Sequence, residues 1–158
     1  MVGGSFVKQT HGKLDFDVQN LHDGDVFLVM TGKKYAPPGD IYVPSYEFDI
    51  VLDGNPVGDI SLRIGTNEAV YYGGHIGYGV DAAFRGRGLA VRACKLLTPL
   101  IRLHGMNKVY ITNDKDNTAS SRVCEKLGAA LIRVAEIPSW HELYNEGRRW
   151  SNIFEWHP

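Results

Sequence analysis

The chain has 158 residues, of which 44% are hydrophobic, and this length and composition are those of one compact domain. Charged residues make up 22% and nearly cancel to a formal net charge of −1, so no global field would draw the protein onto nucleic acid or an anionic membrane. The apolar stretches are short, as in Val26–Met30, whereas a membrane-spanning helix needs roughly 20 apolar residues. We therefore expect one domain over residues 1–158, with no nucleic-acid or membrane partner.

The compartment and the metal content are predicted from the chain start, the cysteines and the histidines. Residues 1–5 lack the charged and then apolar pattern of a secretion signal. Cys94 and Cys124 lack CxxC spacing, and the six histidines show no paired metal-binding spacing. These features predict a cytoplasmic protein with reduced thiols and no metal.

The first 45 residues are the least regular part of the sequence. Val26–Met30 and Ile41–Val43 are short apolar runs that predict strands, and residues 32–39 are rich in turn-forming glycine and proline. From Tyr46 to Ile64, two alternating apolar runs flank an Asp-Gly turn, which predicts a β-hairpin. A further strand is predicted over Val70–Val80, although it is dense in glycine.

The second half alternates between helical and strand patterns. Apolar residues recur at helical spacing from Gly88 to His104, and Pro99 within this pattern predicts a kink or an early end. A second helix is predicted over Asn117–Leu127, closed by Gly128. The predicted strands of this half are Lys108–Thr112, Ala130–Ile137 and Trp150–Trp156.

The run Arg85-Gly86-Arg87-Gly88-Leu89-Ala90 lies between a glycine-rich strand and an apolar helix. Such a turn presents successive backbone N–H groups, reinforced by the partial positive charge of the helix start, to an anion such as a pyrophosphate. The run matches neither the nucleotide P-loop pattern nor GxGxxG. A solvated turn with two surface arginines is the alternative interpretation.

Three segments of the chain resemble the GNAT superfamily of N-acetyltransferases. Residues 85–90 are similar to its [RQ]xxGx[GA] signature, residues 74–80 to its fourth strand, and residues 117–128 to an NxxSxxxxEKxG segment. The resemblance covers residues 46–156 and is greatest to the branch that acetylates protein N-termini, including those of ribosomal proteins. The first 45 residues form a divergent N-terminal part.

The resemblance implies an α/β (α+β) GNAT fold: a mixed, mostly antiparallel sheet of about six or seven strands, splayed between the fourth and fifth, with helices on both faces. It also implies acetyl-coenzyme A (acetyl-CoA) as co-substrate and no metal. In such a site the amides of residues 85–90 would hold the pyrophosphate, and Val80, Asn117 and Ser120 would contact the pantetheine arm. The alternative role of Asn117 or Ser120 is to cap the start of the following helix, and the two roles are compatible if only one of them caps it.

Acetyl transfer to an amine needs a proton acceptor for the amine, a polarised thioester and a proton donor for the departing thiolate. His75 is the candidate base, because it stands where family members often carry glutamate and imidazole titrates near neutral pH. A structural role for His75 is the alternative. Cys124 stands where family members often carry a tyrosine acid, so either its thiol donates the proton, or it only packs and Ser120, Ser121 or water serves instead.

The resemblance implies direct attack by the acceptor amine, which would be a protein N-terminus or a small molecule. Carboxylates near the predicted cleft would attract a cationic acceptor; they are Glu47, Asp49, Asp59 and Asp81. Aromatic residues near the C-terminus would form core and cleft wall; they are Trp140, Tyr144, Trp150, Phe154 and Trp156. The last strand would also serve for pairing in a homodimer. The rival hypotheses are a non-catalytic acyl-CoA-binding sensor and a nucleic-acid-binding protein, the latter disfavoured by the net charge.

Overall fold

The structure is a computed structural model, and it describes Leu14 and residues 21–37 and 40–158. Within these residues, eight strands are connected by turns and by five short helices. The strands are β1 (Leu21–Asp23), β2 (Val26–Lys34), β3 (Ser45–Leu52), β4 (Asn55–Arg63), β5 (Ile76–Val80), β6 (Val109–Asp114), β7 (Ala130–Glu136) and β8 (Trp150–Trp156). The helices are α1 (Glu68–Gly73), α2 (Leu89–Leu96), α3 (Thr98–Leu103), α4 (Thr118–Leu127) and α5 (Glu142–Asn145), with a 3₁₀ turn at Ala82–Phe84.

The strands form two sheets that meet at β5 and β6. One sheet has the order β1-β2-β3-β4-β5 and the other the order β6-β8-β7, and the neighbours within each pair antiparallel. At the junction, the N–H of His75 donates to the carbonyl of Tyr110 at 2.7 Å, but no strand ladder continues from there among the described residues. The predicted splay between two central strands is therefore present as a gap between β5 and β6.

The hairpin of β3 and β4 is confirmed. Its turn residues Asp53 and Gly54 both adopt positive φ, 50° and 80°, which is the geometry that matches the twist of the flanking strands. Inward-facing residues of this sheet alternate with half-exposed ones and build the main core, which includes Phe48, Ile50 and Ile60.

The strand predicted over Val70–Val80 is wrong in its first part, because the segment starts as helix α1 and β5 begins only at Ile76. The side chain of Asn67 accepts a hydrogen bond from the Val70 amide at 2.9 Å and so caps α1. Gly74 then ends the helix at a φ of 85°. This N-cap outweighs the strand preference of the valine and tyrosines that follow it.

The strand predicted at Ile41–Val43 is also wrong, since these residues are irregular. The strand predicted at Val26–Met30 is confirmed and runs on to Lys34, so Gly32 belongs to a strand with a bulge rather than to a loop. The remainder of the predicted 32–39 loop includes residues 38 and 39, which lie outside the described residues.

The predicted helix after the glycine-rich loop is divided at Leu97 into α2 and α3, and Pro99 lies in the first turn of α3. Proline is tolerated there because a first-turn residue needs no amide hydrogen bond. No helix of the described part of the chain is both long and apolar enough to cross a membrane.

Helices lie on both faces of the three-stranded sheet. Tyr110 and Ile111 are successive residues of β6 and therefore point to opposite faces. Ile111 joins the core cluster that contains Leu127 of α4, whereas Tyr110 packs in a second cluster with Tyr71 and Tyr72 of α1. The predicted fold class is thus confirmed.

One expectation about assembly is wrong. The aromatic strand β8 lies between β6 and β7 and is hydrogen-bonded on both sides. It has no free backbone edge, so β8 cannot pair with a second copy.

Candidate functional site

The glycine-rich loop connects the end of β5 to the start of α2. Gly86 and Gly88 have φ values of 80° and 71°, and an added Cβ at either position would meet no atom within 4 Å. Glycine is therefore required here by backbone conformation rather than by packing. Gly88 is also the N-cap of α2 and has no side chain to cap it, so the first-turn amides stay available for an anion.

The two arginines of this loop are exposed and held by local contacts. The Nε of Arg85 donates to the carbonyl of Val80 at 3.0 Å, and the guanidinium of Arg87 lies 5.3 Å from the centre of the Phe84 ring. These contacts keep two positive charges beside the amides of the loop, and Leu89, which follows them, anchors α2 in the core. The loop therefore combines backbone donors with charge complementary to a phosphate.

A set of hydrogen-bonded side chains lies over the gap between the two sheets. Ser120 is on α4, and its Oγ contacts the hydroxyl of Tyr78 on β5 at 2.8 Å and Nδ2 of Asn113 on β6 at 3.3 Å. One contact reaches each strand that borders the gap, so Ser120 lies across it. The hydroxyl of Ser121 and the Nδ2 of Asn152 donate to Oδ1 of Asn113 at 3.2 and 2.9 Å.

Asn117 is the N-cap of α4, and its side chain accepts a hydrogen bond from the amide of Ser120 at 3.1 Å. Asn117 thus fixes the helix start, while the hydroxyl of Ser120 stays directed at the gap. Asn117 therefore has the capping role, and the contact of Ser120 with the pantetheine arm stays a prediction.

His75 is fully buried at the junction of the two sheets. Its Nδ1 accepts from the amide of Tyr110 at 2.8 Å, its Nε2 contacts the Thr66 hydroxyl at 3.0 Å, and its ring stacks on that of Tyr110. Burial lowers the pKa of His75 to about 3, so the ring is neutral at neutral pH. Both ring nitrogens have partners inside the protein, which agrees with the structural interpretation of His75 and gives no support to its role as a base.

Cys124 is also fully buried, and burial raises the pKa of its thiol to about 12. Proton transfer from such a thiol to an ordinary thiolate is uphill. The second cysteine, Cys94, is buried as well, and neither cysteine forms a disulfide. The geometry of Cys124 therefore agrees with a packing role better than with that of an acid.

The carboxylates named from the sequence lie in different surroundings. Asp59 is exposed, and its Oδ1 lies 3.1 Å from where a side chain on Gly79 would begin, so this carboxylate covers the strand that borders the gap. Asp49 is the cross-strand partner of Asp59. Glu47 is bound to Lys34 and to the Ser45 hydroxyl, and Asp81 is exposed just before the 3₁₀ turn.

The aromatic residues near the C-terminus differ in burial. Phe154 and Trp156 are core residues, whereas Trp140 and Trp150 are 46% and 39% exposed. The guanidinium of Arg149 lies 3.7 Å from the centre of the Tyr144 ring. Among the described residues, no group of histidine, cysteine, aspartate and glutamate side chains is placed to hold a metal ion.

The family model described as acetyltransferase (GNAT) domain matches residues 33–130, which is more than half of the chain. The chain belongs to the GNAT acetyltransferase family. The match includes the glycine-rich loop and the three residues Tyr78, Asn113 and Ser120, so the site described above lies inside the GNAT domain.

Solved structures share the fold at low sequence identity. The Microcin C7 self immunity acetyltransferase MccE, in complex with acetyl-CoA and AMP, matches with a TM-score of 0.55 at 22% identity. RimL, a ribosomal L7/L12 alpha-N-protein acetyltransferase in complex with coenzyme A, matches with 0.55 at 20% identity, and the ribosomal-protein-S5-alanine acetyltransferase from Vibrio fischeri with 0.57 at 18%.

Each of these three matches covers 72% of this chain but only 61% or 62% of the other chain, which is less than two thirds. None of the curated protein sequences matches the chain. The comparisons therefore show the fold and the family and leave the acceptor unassigned.

Sequence reasoning missed Tyr78, Asn113 and Asn152. Asn113 and Asn152 are direct cross-strand partners in β6 and β8, and both are buried. Asparagine is depleted in strands, so Asn152 within the predicted strand Trp150–Trp156 was an available signal, whereas Asn113 lies one residue beyond the predicted strand Lys108–Thr112. Nothing local to either residue indicates that they pair.

Proposed function

We propose that the protein transfers an acetyl group from acetyl-CoA to an amine by direct attack of the amine on the thioester. The observation that carries the proposal is the placement of the glycine-rich loop and Ser120 on the same gap between β5 and β6. In this proposal the amides of residues 86–90 bind the pyrophosphate, Arg85 and Arg87 add charge, and the backbone of Val80 and the side chain of Asn117 face the pantetheine arm.

The chemistry requires an uncharged amine, while an alkyl ammonium has a pKa of about 10.4 and the α-amino group of a protein N-terminus has a pKa of about 8. The amine nitrogen bonds to the carbonyl carbon, the carbon–sulfur bond breaks and its electron pair leaves on sulfur, and the nitrogen loses its proton. We assign the hydrogen bond to the departing sulfur to Ser120 rather than Cys124, because the Ser120 hydroxyl lies over the gap. The proton lost from nitrogen goes to Asp59 or to water rather than to the buried His75.

The acceptor in this proposal is the N-terminus of a protein in the cytoplasm. The fold similarity to RimL and to the S5-alanine acetyltransferase, which act on ribosomal proteins, supports this class of acceptor. The exposed carboxylate of Asp59 lies over β5, the strand that borders the gap, and this supports a cationic acceptor, whether a protein N-terminus or a small amine.

The test is CoA release from acetyl-CoA in the presence of peptides that begin with serine or alanine, with a small primary amine in parallel. Thiol release together with acetylated product supports the proposal. Acetyl-CoA binding without release of CoA with any amine would favour a non-catalytic acyl-CoA sensor instead. Failure to bind acetyl-CoA would reject both.

The role of Asp59 is tested by Asp59→Asn, which removes the charge but keeps the shape of the side chain. We expect kcat/KM for the amine to fall about 10-fold, since the variant loses both attraction for the cation and a proton acceptor. Asp53→Asn is the matched control, because Asp53 lies in the hairpin turn. An equal effect of the two substitutions would contradict a specific role for Asp59.

A further inference from the structure

The hydrogen bonds around Ser120 determine how many protons remain for a ligand in the gap. The Oδ1 of Asn113 accepts from the Ser121 hydroxyl and from Asn152, and this fixes the orientation of the amide. Its Nδ2 therefore faces Ser120 and donates to Oγ. Asn113 is only 4% exposed and Asn152 8%, so solvent does not compete for these contacts.

The remaining contact of Ser120 is with Tyr78, and either hydroxyl of that pair can donate to the other. The two hydroxyls carry two protons, and their mutual hydrogen bond uses one. Because Asn113 donates to Ser120 with its own proton, the second hydroxyl proton stays free. Ser120 lies across the gap and is half-buried, so this free proton belongs to the pair that borders the gap.

We propose that Asn113 is a positioning residue for the transfer reaction: by donating to Ser120, it leaves the Ser120–Tyr78 pair one hydroxyl proton to give as a hydrogen bond to the departing thiolate. The inference rests on the proposed function. No net proton needs to leave the hydroxyl pair, since a hydrogen bond to the developing charge on sulfur lowers the barrier by itself.

The decisive variant is Asn113→Asp, which is nearly isosteric. A carboxylate keeps the contacts from Ser121 and Asn152 but accepts the proton of Ser120 instead of donating to it. Both hydroxyl protons are then used, one toward residue 113 and one between Ser120 and Tyr78. We expect kcat for CoA release to fall about 10- to 100-fold at pH 8, with the KM and Kd for acetyl-CoA changed by less than threefold.

Two further readouts separate positioning from a purely structural role. Burial raises the pKa of the introduced carboxyl, whereas the hydrogen bonds that it accepts lower it; once protonated, it can donate to Ser120 again. The ratio of variant to wild-type kcat should therefore rise as the pH falls from 8.5 to 6. In a Ser120→Ala background, Asn113→Asp should cause no further loss, because it acts through the missing hydroxyl.

Tyr78→Phe is the comparison variant: without the phenol, Asn113 still donates to Ser120, and the Ser120 hydroxyl, which the proposed function assigns to the departing sulfur, keeps its proton free. We expect kcat to fall by less than fivefold in this variant, well below the loss caused by Ser120→Ala. If Asn113→Asp does not fold, as judged by thermal unfolding, the test is the comparison of kcat in Tyr78→Phe and in Ser120→Ala. A loss of kcat in Tyr78→Phe equal to or greater than the loss in Ser120→Ala would overturn the inference.

The inference is also overturned if Asn113→Asp leaves kcat unchanged, or if it lowers kcat by the same factor with and without Ser120. CoA release is measured with serine-initiated peptides and, without an acceptor, as hydrolysis of acetyl-CoA. A wild-type protein that binds acetyl-CoA but never releases CoA would refute the proposed function itself, which is a different outcome.

Discussion

The glycine-rich loop and the hydrogen-bonded side chains around Ser120 border the same gap but are built in opposite ways. The loop is exposed, and it depends on backbone amides and on the positive φ of Gly86 and Gly88. The side chains around Ser120 come from β5, β6, α4 and β8, and their partners are largely buried. A backbone site depends on a few consecutive residues, whereas a side-chain site depends on the whole fold.

This difference predicts that the loop governs acetyl-CoA binding and that Ser120 and its partners govern turnover. Gly88→Asp should give the largest effect. It places a negative charge and a strained residue where the pyrophosphate would lie, so we expect acetyl-CoA binding to weaken at least 100-fold by calorimetry.

The matched control is Gly105→Asp. Gly105 also has a positive φ, 69°, and open space around its Cβ position, but it follows α3. Its stability should fall by a similar amount, while acetyl-CoA binding stays within threefold of wild type. Equal loss of binding in both variants would mean that strain, and not the loop, explains the effect.

The buried His75 offers a test that separates folding from catalysis. Its pKa is about 3 in the folded protein and about 6.5 when unfolded. Between these two pH values the unfolded chain binds one more proton than the folded protein. The contribution of the buried, neutral His75 to the free energy of unfolding is therefore complete above pH 6.5 and is lost as the pH falls toward 3. Relative to His75→Asn, the wild type should lose about 2 kcal/mol of unfolding free energy between pH 7 and pH 5.

Urea unfolding at the two pH values measures this difference. His22→Asn, a change at an exposed histidine of β1, serves as the control and should leave the pH dependence as in wild type. If the wild type and His75→Asn lose stability in parallel, His75 is not held neutral in the folded protein, and its role as a base regains support.

Cys124 should give the smallest effect on catalysis. Cys124→Ala removes a buried sulfur, so stability should fall by about 1–2 kcal/mol, but kcat should change by less than threefold. Cys94→Ala is matched in burial and in the atom removed. A loss of about 100-fold in kcat that is confined to Cys124→Ala would identify this thiol as the acid after all.

The same comparison explains how much the sequence predicts. The loop, the hairpin turn at Asp53-Gly54 and the cap pair Asn117 and Gly128 each depend on local residue types, and each is found where the pattern places it. The start of β5 was misplaced, because the capping contact of Asn67 outweighs strand preference.

The candidate catalytic residues could not be predicted as well. A motif position selects His75 and Cys124, but burial, which only the packed structure reveals, determines their pKa values. The contact between Asn113 and Asn152 depends on the register of β6 against β8, which no local pattern specifies.

The central claim is tested most directly by one calorimetric titration of acetyl-CoA into three proteins: wild type, Gly88→Asp and Ser120→Ala. We predict that wild type and Ser120→Ala bind with dissociation constants within threefold of each other, while Gly88→Asp shows no binding. Absence of binding to wild type, or loss of binding in Ser120→Ala with retention in Gly88→Asp, would contradict the division between a binding loop and a hydroxyl that acts in turnover.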